Sequence, residues 1–172
     1  MQAAVDLAFA DPEGLTAAIV VVYKGRIVGE RYMPGITKDT QLESWSMGKS
    51  LTATLVGLVV KDGAFALDDP APVPDWRRPG DPRGAIRVRD LMRMSSGLSF
   101  TGQDDRWMDP ATQYHDHFFI YAGAVNAFAY SIASPVEFAP NTVGRYRNSD
   151  PMALGFLVRQ AVEKRGEEYL TY

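Results

Sequence analysis

Ser46 and Lys49 stand three residues apart at the front of an apolar run, Ser46-Met47-Gly48-Lys49-Ser50-Leu51. On a helix that spacing places a hydroxyl and an amine on one face, one turn apart. Together they have the parts of an activated nucleophile: an oxygen that must lose a proton, and a nitrogen close enough to help remove or hold it. Alone, the pattern is more often ordinary helix-cap chemistry, because serine favours helix starts. Its setting and a second group far downstream, Tyr146-Arg147-Asn148, add weight to the chemical reading. Tyrosine and asparagine alternate there with Arg147, so an extended segment turns Arg147 the opposite way from its two neighbours.

Other candidate groups carry less. His115 and His117 are two apart, poor spacing for one helical face, and no carboxylate–histidine set converges with them, so no metal is expected. Asp104-Asp105 reads as a solvated loop. Trp45, next to the candidate nucleophile, either packs in a core or lines a pocket. Ser95-Ser96-Gly97 reads as a helix stop rather than a second nucleophile.

The elements that must position these groups follow from periodicity. Leu15 to Tyr23 is rich in Val, Ile and Ala and reads as a buried strand. Lys24-Gly25 signals a turn, and Arg26 to Met33 reads as the returning strand of a hairpin. Val5 to Phe9 has weak helical character. Ser44 or Ser46 is expected to cap a helix that runs to Lys61 and stops at Gly63. Leu51, Leu55, Leu58 and Val59 recur at helical spacing and form its expected core face.

Pro70, Pro72, Pro74, Pro79 and Pro82 exclude regular helix between them. Arg87 to Met94 reads as a short helix, 99 to 113 as polar loop, and Ala122 to Ile132 as a helix. Residues 135 to 148 read as loop. Asp150 is expected to cap the next helix with Pro151 at its first position. Met152, Leu154, Leu157, Val158, Ala161 and Val162 form its apolar face. Glu167 to Tyr172 reads as the start of a further helix with no stop signal.

The 172 residues are enough for one domain with a core, spanning 1–172. A hydrophobic content of 46% and a charged content of 23% are those of a globular protein. The net charge is −3, and Lys and Arg form no stripe, so nucleic acid is not an expected partner. There is no cysteine, hence no disulfide framework and no thiolate metal site. No apolar stretch reaches membrane-span length, and the N-terminus lacks a signal peptide's basic and apolar regions. A cytoplasmic location with no membrane association is the expectation.

With Ser46-x-x-Lys49 and Tyr146-x-Asn148 both present, the chain resembles the serine β-lactamase and penicillin-binding-protein superfamily, whose signature includes S-x-x-K. Tyr-x-Asn is similar to the class C branch, which includes family VIII carboxylesterases and 6-aminohexanoate-dimer (nylon oligomer) hydrolases. The segments Val22 to Tyr32, Trp45 to Ser50 and Leu91 to Leu98 are most similar to the nylon-oligomer-hydrolase side. The resemblance runs from about Leu15 onward. It implies an α+β, β-lactamase-like fold, an α/β sandwich of which this chain holds an N-terminal hairpin and the helical region.

The resemblance also implies roles. Ser46 is the acyl-accepting nucleophile, Lys49 holds or accepts its proton, and Tyr146 is partner base and proton shuttle. Asn148 orients Lys49 and binds a substrate carbonyl or amide. The Ser46 backbone N–H supplies half of an oxyanion hole. The implied activity is hydrolysis of an amide or ester through an acyl-enzyme, on a small-molecule substrate and without a cofactor. Neither Lys-Thr-Gly nor His-x-Gly, the family's third motif, occurs here. Two further readings follow: a non-catalytic, penicillin-recognising relative, and a truncated chain needing a complementary C-terminal chain. A two-strand sheet is marginal alone, and Ala17 to Val22 offers an apolar edge, so poor stability or association, such as a homodimer, is expected.

Overall fold

The computed structural model describes residues 1–102, 105 and 114–172. They form two compact units, Met1–Ser44 and Trp45–Tyr172. The architecture is α+β: helices and, among the described residues, a two-strand antiparallel sheet.

In the first unit, α1 (Gln2–Leu7) precedes β1 (Ala18–Tyr23) and β2 (Arg26–Tyr32). Lys24 and Gly25 both have positive φ, 49° and 74°, as the two-residue turn matching strand twist requires. Val21 faces Gly29 and Val22 faces Ile27, so Val28 is an extra residue that bulges β2. A Cβ on Gly29 would lie 2.9 Å from Val5 Cγ2, so the missing side chain is what lets α1 lie on the hairpin. Asp6 and Arg31 tie the same elements with a 3.0 Å ion pair. The helical character expected over Val5 to Phe9 thus falls earlier, at Gln2–Leu7.

The second unit holds α2 (Gly48–Lys61), α3 (Val88–Met92), α4 (Asp116–Ala122), α5 (Ala127–Ala133) and α6 (Ser149–Lys164). Helices α2, α3 and α5 pack on α6 around Val56, Val59, Trp76, Ile86, Leu91, Leu154, Leu157 and Val158. Each such side chain contributes about 1.5–3 kcal/mol on burial. Trp76 is fully buried and donates from Nε1 to Ile132 O at 2.8 Å, so burying it leaves no orphan donor.

Several expectations are corrected here. Neither Ser44 nor Ser46 caps α2: Trp45–Met47 form a 3₁₀ turn, and Met47 is the cap residue, with no side-chain cap bond. On α2, Val56 and Val59 are buried while Leu51 and Leu58 are exposed, because apolar residues ring this helix and its neighbours select the Val56 side. The helix expected over Ala122 to Ile132 begins only at Ala127, as α5, because Ala122 is the last residue of α4 and Gly123 its C-cap. Asn126 restarts the chain by accepting from Ala129 N at 3.0 Å. Helix α6 begins two residues before Pro151, and Asp150 points into the core instead of capping. At the end of the chain, Tyr169–Thr171 form a 3₁₀ turn.

Residues 94–99 and 135–145 run side by side and deliver Tyr146. Phe138 N and Glu137 N donate to Gly97 O, Asn141 N to Ser95 O at 2.7 Å, and Arg145 N to Met94 O at 3.0 Å. Gly97 has φ +79°, and a Cβ there would meet Phe138 O at 2.0 Å. Part of the loop expected over 99–113 lies outside the described residues, Asp104 included. Asp105 is not merely solvated: it accepts from Arg145 Nη2 at 2.6 Å. Among the described residues no helix is long and apolar enough to cross a membrane.

Candidate active site

Trp45 has φ +43°, rare for a large side chain and worth about 1–3 kcal/mol of strain. It leads the 3₁₀ turn that carries Ser46 into α2. Lys49 follows one turn on, and its Nζ lies 3.0 Å from Ser46 Oγ. The same Nζ donates to Asn148 Oδ1 at 2.8 Å. Tyr146 Oη is in hydrogen-bond contact with Ser46 Oγ. Lys49 Nζ also sits 4.8 Å from the centre of the Tyr146 ring, so the cation faces the π cloud as well. Ser46, Lys49, Tyr146 and Asn148 therefore meet in one cluster within the second unit.

The alternation at 146–148 decides which side chains reach that cluster. Tyr146 is 58% exposed, whereas Arg147 is 1% and Asn148 3% exposed. Arg147 turns inward and donates to Leu98 O and, at 3.2 Å, to Arg145 O. Burial lowers its pKa. Below it, Asp150 accepts from Ser96 Oγ at 2.7 Å and Ser96 N at 3.3 Å. Burial pushes the Asp150 carboxyl up, against the opposing pull of those bonds. Ser96, expected only as part of a helix stop, thus holds the first turn of α6.

Electrostatics at the exposed end runs the other way. Contact with the Ser46 hydroxyl, and then with Lys49, lowers the Tyr146 phenol below the ordinary tyrosine value of 10.0. Both neighbours stabilise a phenolate oxygen, the form able to take a proton.

Two residues join the cluster that the sequence did not assign to it. Asn148 Nδ2 lies 3.1 Å from Tyr121 Oη and 3.2 Å from His117 Nδ1. His117 and Tyr121 are four apart on α4, so they share a face. That spacing was the available signal, masked by reading His117 with His115. Trp45 is 72% exposed and meets Tyr121 edge-on at 6.2 Å. It lines a cavity of about 230 Å³ with Lys49, Thr52, Ile120, Tyr121, Asn148 and Met152. Among the described residues, no three His, Asp or Glu gather as a metal site.

The family model for Beta-lactamase matches residues 5–172. The chain belongs to the beta-lactamase family. Two solved structures share its fold: a putative beta-lactamase from Bacteroides dorei DSM 17855 and a putative 6-aminohexanoate-dimer hydrolase from Bacillus anthracis. The first superposes with a TM-score of 0.70 at 23% identity, covering 97% of this chain and 46% of the other. The second gives 0.69 at 19% identity, covering 92% and 42%. This beta-lactamase-family chain thus spans less than half the length of either.

Proposed function

We propose that the chain carries the nucleophilic half of a serine hydrolase site, cleaving an amide or ester through an acyl-enzyme on Ser46. The observation that carries this reading is the contact of one hydroxyl, Ser46 Oγ, with both Lys49 Nζ and Tyr146 Oη.

Tyr146, as phenolate, takes the Ser46 proton while Oγ attacks the substrate carbonyl carbon. The Lys49 ammonium, held by Asn148, faces the developing negative charge and keeps Tyr146 acidic. The tetrahedral adduct collapses, the carbonyl re-forms, and the bond to nitrogen or oxygen breaks. Tyr146 gives its proton to the departing amine or alcohol. Water then attacks the acyl carbon and gives Tyr146 a proton. Breaking the ester frees the acid, and Tyr146 returns that proton to Ser46 Oγ. The Ser46 N–H supplies one oxyanion donor. Group by group, such proton transfers are worth about 10²–10⁴-fold in rate.

A linear amide or short-chain ester is the proposed substrate class, in preference to a β-lactam. Support comes from the cavity beside Lys49. Its Trp45, Ile120 and Met152 walls suit an unbranched apolar acyl segment. The test is intact-mass detection after brief exposure to p-nitrophenyl acetate. One acetyl group on the wild type and none on Ser46→Ala is expected. A wild type that stays unmodified and releases no p-nitrophenolate beyond that of Ser46→Ala overturns the proposal.

A further inference from the structure

Asn148 is the middle of a polar chain that begins at Ser46 and ends on α4. A carboxamide has two unlike ends, and a lysine ammonium has only donors. Its oxygen therefore faces Lys49, at 2.8 Å, and its NH₂ faces Tyr121 Oη at 3.1 Å and His117 Nδ1 at 3.2 Å. His117 Nδ1 must accept, which requires a neutral ring with its proton on Nε2.

We infer that His117 is a positioning residue: in its neutral form it fixes the orientation of the Asn148 carboxamide and, through it, holds Lys49 against Ser46. Protonating His117 puts an N–H on Nδ1, opposite the Asn148 NH₂. Rotating the carboxamide by half a turn relieves that clash and creates another, NH₂ against the Lys49 ammonium. Either arrangement loses one hydrogen bond of the chain, so acid loosens Lys49. This role rests on the proposed function, in which Lys49 acts on Ser46.

The ring is held well enough to transmit such a change. His117 N donates to Thr101 O at 3.1 Å, and the ring stands edge-on to Phe118 at 5.3 Å and Tyr121 at 5.9 Å. Asp116, the preceding residue, accepts from Thr101 N at 2.6 Å, Thr101 Oγ1 at 2.9 Å and Tyr130 Oη. Among the described residues, the titratable groups around this chain are Lys49 on α2, Tyr146 on its loop, His115, Asp116 and Tyr121 on or beside α4, and Tyr130 on α5.

The experiment is an NMR pH titration of the Asn148 side-chain amide, identified by its loss in Asn148→Ala. The amide signals are expected to step at the midpoint of the His117 ring, and the step is expected to vanish in His117→Phe and His117→Gln. Amide signals that stay flat through the His117 titration, or a step that survives in His117→Phe, overturn the inference. Phosphonylation of Ser46 by a fluorophosphonate, which forms an Oγ–P bond and releases fluoride, gives the second readout. The wild type is expected to show an acid limb at the His117 midpoint. The glutamine variant, whose carbonyl still accepts from Asn148, loses that limb and keeps its neutral-pH rate. The phenylalanine variant is slower by about tenfold at neutral pH, the worth of one hydrogen bond. The amide step does not depend on Ser46 reacting. Failure of Ser46 to react therefore overturns the proposed function, while the titration still decides the role of His117.

Discussion

Lys49 and Asn148 lie 99 positions apart in the chain, yet Lys49 Nζ donates to Asn148 Oδ1 at 2.8 Å. The bond joins α2 to the residue just before α6, two helices that pack on each other. Packing of the helices thereby sets where Asn148 holds the Lys49 ammonium beside Ser46 Oγ.

The lowered phenol of Tyr146 predicts a pH profile. Its phenolate forms below the ordinary tyrosine value, so acylation is expected to rise with pH and level off below about 10. Lys49→Met removes one of the two causes of the shift and moves that inflection upward. Tyr146→Phe removes the inflection and costs about 10²–10⁴-fold in acylation rate. Stopped-flow acylation by a chromogenic ester across the alkaline range checks both. An unchanged inflection in Lys49→Met contradicts the assignment.

Gly97→Ala tests the strut that delivers Tyr146. The new Cβ meets Phe138 O at 2.0 Å, and the φ of +79° disfavours any L side chain. A loss of about 1–3 kcal/mol is expected. Acylation falls with it, because the same segment bonds to Asn141 and Arg145. Chemical denaturation with an acylation assay on the folded fraction reads both effects. Full stability in Gly97→Ala is the contrary result.

Asp150 gives a stability effect of opposite sign to the usual carboxylate. Its native value is raised by burial, so its stabilising contribution is complete below the unfolded value of about 3.9. That contribution is lost as pH rises through the elevated native value. Each unit of elevation is worth about 1.4 kcal/mol. Asp150→Asn has no such dependence, so its melting temperature relative to wild type is expected to increase with pH over that window and then plateau. Thermal melts of both proteins from about pH 4 to pH 7 check this. A constant difference contradicts it.

The hairpin predicts association. Val22 and Ile27 face each other across the strands and are 61% and 60% exposed. Exposed apolar strands invite pairing with another chain. Replacing the pair by Val22→Glu with Ile27→Lys keeps a favourable cross-strand contact and removes the apolar patch. Light scattering is expected to show concentration-dependent association in the wild type and less in the double variant. Equal scattering argues against the hairpin as the sticky surface.

What could be read from the sequence follows from how local each signal is. Ser46 and Lys49 were legible because a three-residue spacing on a helix is a local fact. Tyr146 and Asn148 were legible because their alternation with Arg147 sorts side chains without any tertiary knowledge, and Arg147 does turn inward. The Lys24-Gly25 turn is likewise local. The core face of α2 was not, because Leu51, Leu55, Val56, Leu58, Val59 and Val60 surround the helix and only packing selects Val56 and Val59. Asp150 looked like a cap, but Ser96, 54 positions away, supplies it with a buried partner. His117 and Tyr121 were missed because their partner, Asn148, is brought to α4 only by the tertiary fold.

Every step proposed for this site requires Ser46 to be an activated nucleophile. Intact-mass labelling with a fluorophosphonate tests it most directly, on the wild type, Ser46→Ala and Lys49→Met. A single adduct is expected on the wild type, none on Ser46→Ala, and labelling of Lys49→Met slower by about 10²–10³-fold. An unlabelled wild type, or an adduct that persists in Ser46→Ala, contradicts it.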